Sequence, residues 1–395
     1  MEALPQTSQS LKQQLRALPA PAWVLFAGTF VNRFGTFVMP MLMLYLTRIG
    51  YSPTQAGLAV GTYGAGHFAA SMLGGHLADR IGRRNTIALS MFASAAVMLA
   101  LSQARAYHTI LALAWLAGTA AELYRPASHA LIGDLVAPDQ RVIGFGMYRF
   151  AVNLGFAAGP AMAGFLADKS FFYLFLGDAV TSIAYGIIAL VALPHGLRTY
   201  SKEERAGEAI RVALRDRRFM AFVIATALVT VVDFQMSSTL ALHIRDQGFS
   251  AATYGALISI NGLLIVLFEL LITNRVQRFR PQPIIAAGYA LQGIGFALTG
   301  VAHTVPALAG TVVIWTLGEM LHSPMSGAYV TQLAPEKYRG RYMGLFVLTW
   351  SFGMIVGPTV GTRVYEWNPT VLWTSCAVLG LTSAALALRR VSRSE

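Results

Sequence analysis

The sequence predicts an all-α integral membrane protein, with twelve transmembrane helices in two pseudo-symmetric six-helix bundles. Three observations carry this prediction. The chain of 395 residues is 55% apolar and only 12% charged, about half the charged share of a soluble globular protein. Its apolar residues gather in twelve blocks, each near the ~20 residues a helix needs to cross the hydrocarbon core. The second half of the chain also repeats the first in register. A soluble enzyme of this length would need charged, water-facing surfaces on several domains, and this composition cannot supply them. The single cysteine, Cys376, excludes a disulfide scaffold.

The first six blocks run over residues 23–46, 55–77, 86–104, 109–132, 142–166 and 171–193. The second six run over 219–242, 253–273, 283–302, 307–331, 342–363 and 370–388. The first block is too long for the apolar region of a signal peptide, and a polar-to-mixed segment precedes it. Connections are short except at 194–218 (PHGLRTYSKEERAGEAIRVALRDRR), the only long charged interior segment. It reads as a linker with a surface helix. The expected division is a bundle over 1–193, a linker over 194–218 and a bundle over 219–395.

Charge placement orients the chain. With the N-terminus in the cytoplasm, 22 of the 30 basic residues fall on inner segments, five on outer loops (Arg48, Arg105, Lys169, Arg245, Arg363) and three inside spans (Arg33, Arg125, Arg149). Such a bias places both termini and the linker on the cytoplasmic side. It also accounts for the net charge of +12 without any nucleic-acid partner.

The repeat is read residue by residue. Gly50-Tyr51-Ser52 matches Gly248-Phe249-Ser250, and Gly57 matches Gly255. Glu122 and Pro126 match Glu319 and Pro324, Arg141 matches Arg339, and Gly146 matches Gly344. Gly155-x-x-x-Gly159-Pro160 matches Gly353-x-x-x-Gly357-Pro358, and the offset stays at 197–198 throughout. Two parallel six-span repeats suit a transporter whose site lies between two rocking halves.

Two motifs carry a family resemblance. Residues 75–84, GHLADRIGRR, lie between spans 2 and 3 and resemble the loop signature of the major facilitator superfamily. Residues 155–164, GFAAGPAMAG, lie in span 5 and are similar to the antiporter signature of its drug-efflux members, with Gly155, Gly159, Pro160 and Gly164 as its small and helix-bending positions. The resemblance extends over the whole chain in span number, loop placement and repeat. The chain also departs from the pattern. The second copy of the loop signature is reduced to residues 274–278, NRVQR, and the arginine many members carry early in span 4 is absent, Trp115 lying in that stretch.

In the loop, Gly75 permits close helix approach, and Gly82 belongs to the same signature. Asp79 can face the positive N-terminal end of a neighbouring helix. The resemblance implies that this helix is span 11, near Tyr342. Arg80, Arg83 and Arg84 can pair with acids or lipid phosphates. Together these contacts are expected to latch the cytoplasmic side in one state and release it in the other.

Ionisable residues inside spans each cost about 2.5–3.5 kcal/mol near a helix centre. They occur as Arg33 in span 1, Glu122, Arg125 and His129 in span 4, Asp233 in span 7, and Glu319 and His322 in span 10. By resemblance, spans 1, 4, 7 and 10 line the central cavity. Glu122, Arg125 and His129 are spaced to share one helix face, and Glu319, His322 and Ser326 repeat that spacing. Glu122 and Glu319 could form a symmetric pair across the cavity, or Glu122 could be a static partner of Arg125. Glu319, with only His322 as a local partner, is the better proton carrier. Asp233 and Asp178 are further candidates, Asp178 with a structural hydrogen bond as the competing role. Aromatic walls are expected from Phe37, Tyr124 and Trp315. Glu269 is expected to reach Arg275 or water, Arg149 to snorkel inward, and His67 to be a packed histidine. Asn32, Arg33 and Phe34, followed by Leu44, Tyr45 and Leu46, also resemble the first span of proton-coupled peptide transporters, without that family's acidic residues before the arginine.

No phosphate-binding loop is present, since none of the four lysines follows a glycine. A secondary transporter needs none; the membrane field supplies about 2.3 kcal/mol per charge per 100 mV. The sequence also lacks the His-Glu-x-x-His and Gly-x-Ser-x-Gly motifs of membrane hydrolases. The resemblance to drug-efflux antiporters implies, as the expected activity, proton-coupled efflux of small amphiphilic molecules or drugs by alternating access in a bacterial inner membrane. The alternatives are a proton symporter importing peptides or other small solutes and, more remotely, a polytopic membrane enzyme. The expected partners are a small-molecule substrate, protons and membrane lipid. The protein is expected to act as a monomer, with no cofactor, metal or catalytic residue.

Overall fold

A computed structural model describes residues 15–137, 140–195, 206–335 and 338–389, and the described residues contain helices and no strand. The first half of the chain forms α1 (Ala20–Phe34), α2 (Val38–Arg48), α3 (Pro53–Ile81), α4 (Arg83–Gln103), α5 (Tyr107–Glu122), α6 (Tyr124–Leu135), α7 (Arg141–Lys169) and α8 (Phe171–Ala192). A short helix, α9 (Ala206–Arg215), lies in the charged linker. The second half forms α10 (Arg217–Asp233), α11 (Thr239–Asp246), α12 (Ala251–Val276), α13 (Pro281–Thr299), α14 (Val305–Leu333), α15 (Arg339–Trp367) and α16 (Pro369–Leu388).

The repeated Gly-aromatic-Ser triplets are helix starts. Gly50 and Gly248 take φ of 101° and 82°, a left-handed turn that costs glycine nothing. Ser52 then accepts from the Gln55 N–H, completing a capping box with the Gln55 side chain, and Ser250 accepts from the Thr253 N–H at 3.2 Å. Each cap satisfies backbone donors that a helix start leaves open. Sequence repetition here is repetition of a local backbone problem and its solution.

Among the described residues, eight segments, with α1 and α2 counted as one, are long and apolar enough to cross a membrane. The other predicted spans, α3, α5 with α6, α10 with α11, and α13, fall below that measure. Gly, Thr, Tyr, His and ionisable residues interrupt their apolar runs.

Two apolar cores each draw on one half of the chain, the first around Leu25, Tyr124 and Tyr185, the second around Phe219, Tyr289 and Tyr342. A third core mixes the halves, with Tyr45 and Met41 from the first beside Tyr254 and Tyr365 from the second. Helices α3 with α15 and α7 with α12 make the main junctions between the halves, and α2 meets α11. Glycines allow these junctions: a Cβ at Gly64 would lie 2.9 Å from Met354, and one at Gly262 2.5 Å from the Ala157 Cα.

Candidate functional site

Three of the predicted spans are broken, and the breaks bring charged side chains inward. Between α1 and α2 the chain turns at Gly35, and the Asp178 carboxylate accepts from the Val38 N–H at 3.5 Å, capping the second segment. Between α5 and α6 the break falls at Leu123. Pro126 explains it, because its ring opposes the carbonyl four residues back, that of Glu122. Ser90 repairs the gap, donating to the Ala120 carbonyl at 2.5 Å and accepting from the Tyr124 N–H at 3.1 Å. Between α10 and α11, Gln235 donates to the Val231 and Gly357 carbonyls and accepts from the Thr239 hydroxyl.

The breaks surround a cavity of about 280 Å³ lined from both halves of the chain. On one wall, Glu122 is held by three groups. The Arg33 guanidinium lies 2.8 Å from its Oε1, the His67 Nε2 3.1 Å from the same oxygen, and the Arg125 Nε 2.8 Å from Oε2. Arg33 also sits over the Tyr124 ring at 5.5 Å. His67, expected to be merely packed, is thus a partner of Glu122. His129 makes no ion pair with Glu122 among the described residues and packs edge-on against Phe145 and Tyr148.

The lining from the second half has acids and, among the described residues, no base. Glu319 accepts from the Asn261 amide at 2.9 Å, and Asp233 accepts from the Gln292 amide at 2.6 Å. Both carboxylates line the cavity. His322 pairs with the Gln292 Oε1 at 2.8 Å. Repeat-related positions therefore hold carboxylates in unlike surroundings: Glu122 among cations, Glu319 among amides. Asn261 and Gln292 were missed in the sequence, where the usable signal was a carboxamide inside an apolar span.

Of the other predicted residues, Arg33, Arg125, Glu122, Asp233 and Glu319 line the cavity, while Phe37, Tyr124, Trp315 and His322 do not. Trp315 is fully buried and stacks on Phe296, and Phe37 packs edge-on against Phe34. Asp178 is buried at the start of α2. Met39, Phe156, Trp350 and Met354 supply apolar walls instead.

In the span-5 motif, a Cβ at Gly155 would lie 2.7 Å from that of Arg33, one at Gly159 2.7 Å from the Phe34 carbonyl, and one at Gly164 2.8 Å from the Ala252 Cα. The Pro160 carbonyl faces Gly255 of α12. These positions let α7 approach α1 and α12 closely. In the loop motif, Arg83 pairs with Asp134 at 3.0 Å. Gly82 turns the chain with φ of 91° between α3 and α4. Arg84 reaches only the neighbouring Asn85, Arg80 is exposed, and Asp79 makes no hydrogen bond or ion pair among the described residues. Gly75, expected to mediate close approach, has nothing within 4 Å of an added Cβ, and neither do Gly146 and Gly344. At the opposite end the halves touch: Asp168 accepts from the Ala251 and Ala252 N–H groups at 3.1 and 3.2 Å, and Glu366 accepts from the Thr54 N–H at 3.2 Å.

The sequence pattern of the Major Facilitator Superfamily matches residues 25–358 and again 236–395. The chain belongs to this superfamily of membrane transporters. It is 28% identical over 349 residues to "Uncharacterized MFS-type transporter YqjV" of Bacillus subtilis (strain 168), covering 86% of this chain and 85% of the relative. It is 24% identical over 380 residues to "Multidrug resistance protein MdtH" of Aeromonas hydrophila, covering 94% and 95%. A crystal structure of a POT family transporter in complex with 5-aminolevulinic acid superposes with a TM-score of 0.79 at 19% identity, covering 94% and 95% of the two chains. The protein is a multi-pass membrane transporter of the superfamily, and not an enzyme.

Proposed function

We propose that this superfamily member is a proton-coupled efflux transporter of small amphiphilic molecules, working by alternating access between two six-span bundles, 1–193 and 219–395, joined by the 194–218 linker. One observation carries the reading. Across the cavity from a Glu122 held by Arg33, Arg125 and His67, the carboxylates Asp233 and Glu319 hydrogen-bond to amides and form no ion pair among the described residues. Carboxylates without a cation are groups that a proton or a cationic substrate can neutralise in turn. The apolar walls around them suit an amphiphile, and the multidrug relative agrees with this class.

In this reading the spans number twelve, α1 with α2, α5 with α6 and α10 with α11 each crossing as a broken pair. The protein is a monomer in the bacterial inner membrane with both termini cytoplasmic, and the closed end carrying Asp168 and Glu366 is periplasmic. A cysteine at Ser201, outside the described residues, should react with an impermeant thiol reagent only after cells are permeabilised; ready labelling of intact cells would reverse the orientation.

The separation of basic and acidic walls favours a second reading, import of zwitterionic solutes such as peptides by proton symport. Purified protein in liposomes, loaded with ethidium on one side or dipeptide on the other, separates the two. With a proton gradient imposed, efflux moves ethidium against the proton flow, whereas symport moves dipeptide along it. Movement of neither would remove proton coupling from the account.

A further inference from the structure

Glu269 on α12 belongs to neither carboxylate cluster, and the repeat does not predict it, since its counterpart 198 residues earlier is Ser71. Its partners come from the other half of the chain. Arg149 of α7 forms an ion pair with it, and the Asn153 amide donates to it at 3.5 Å. The Glu269 side chain is 13% exposed and that of Arg149 56%. The carboxylate is thus inside the protein while its counter-ion borders the outside.

The position of Glu269 on α12 is informative. Asn261, Ile265 and Glu269 recur every fourth residue and share one helix face. Asn261 holds Glu319, and Ile265 and Asn153 line the cavity. This face leads from Glu319 to Glu269 over about 12 Å, at 1.5 Å per residue. It runs away from the capped end of α12 toward the other end of the helix, at Val276. Arg149 from α7 is the charged group in contact with Glu269, and Glu319 from α14 meets the same face of α12 at Asn261. No other ion pair reaches it among the described residues.

We propose that Glu269 is a second proton station, taking the proton that Glu319 releases and passing it to the water around the exposed Arg149, its displaceable counter-ion. The inference rests on the proton-coupled reading above. The proton leaves the Glu319 carboxyl, which becomes a carboxylate, and crosses on cavity water to the Glu269 carboxylate, which becomes neutral. Arg149 then loses its partner and turns to solvent. When the proton departs to bulk water, the ion pair re-forms. A mere tether between the halves would need the pair but no proton acceptor, and the two roles separate by substitution.

The test uses the full chain in proteoliposomes, with ethidium as the probe. Gradient-driven efflux and exchange at zero gradient are measured together. Glu269→Gln should lower driven efflux by about a hundredfold, the scale for losing a proton-transfer group, and leave exchange near the wild-type rate, which also shows that the variant folds. Glu269→Asp should restore drive. Arg149→Gln breaks the same pair but keeps the carboxylate, and should cost at most about fivefold, the scale for a partly exposed ion pair. Equal losses in Glu269→Gln and Arg149→Gln would make the pair a tether and overturn the proposal, as would full drive in Glu269→Gln. Wild-type protein that exchanges ethidium but shows no gradient-driven efflux would instead overturn the proton-coupled reading, and this inference with it.

Discussion

Asp168 and Glu366 occupy equivalent positions of the sequence repeat, and each carboxylate caps the first turn of a helix from the opposite half of the chain. Asp168 receives the N–H groups of Ala251 and Ala252, and Glu366 the N–H and hydroxyl of Thr54. Residues 54 and 252 are themselves repeat-related, so the contacts form a pseudo-symmetric pair. The negative side chains meet the positive ends of α12 and α3, where backbone donors lack helical partners.

These caps should hold one end of the transporter shut. A cap of this kind is worth about 0.5–2 kcal/mol, or about 2- to 30-fold in the ratio of closed to open forms. Asp168→Ala and Glu366→Ala should each raise the open population at that end, and the double variant should do so more. Spin labels at Gln103 and Trp367, one in each half, read this as a longer-distance component. A distribution unchanged in the double variant would remove the caps from the gating account.

Asp79 should behave in the opposite sense. It has no hydrogen bond or ion pair among the described residues, so Asp79→Asn should leave thermal stability unchanged while cutting transport if the contact proposed for it toward span 11 belongs to the other state. Labels at the ends of α3 and α15 near Gly75 and Gly344 should lose their short-distance population under conditions that favour closure there. Normal transport with an unchanged distribution would return the motif to a basic anchor.

Much of this was legible in the sequence. The blocks and the repeat marked the helices, and the costly charges marked most of the cavity. The breaks were not legible, because the groups that stabilise them are distant in the chain: Asp178 caps the start of α2 from 140 residues away, and Ser90 bridges Leu123 from α4. For the same reason the partners of the carboxylates were missed. His67 reaches Glu122 and Asn261 reaches Glu319 only through helix packing. Arg149, expected to snorkel to the inner face, and Glu269, expected to reach Arg275 or water, found each other across the two halves.

Unlike environments should give the two repeat-related glutamates unlike stability effects. Glu122→Gln leaves Arg33 and Arg125 without their carboxylate, and breaking a buried charged network costs about 3–5 kcal/mol. Glu319→Gln only exchanges one partner of the Asn261 amide for another. Melting of the purified variants should show a clear loss for the first and little for the second. Equal melting temperatures would mean that Glu122 is not the charge anchor of its wall.

The most direct measurement is driven efflux against passive exchange in Glu319→Gln, in the same proteoliposomes. The variant imitates a carboxyl that never releases its proton, yet it keeps the shape of the cavity. Ethidium exchange at zero gradient should persist, and efflux driven by a proton gradient should disappear. Efflux against a gradient at the wild-type rate would contradict the account and take the proton away from Glu319.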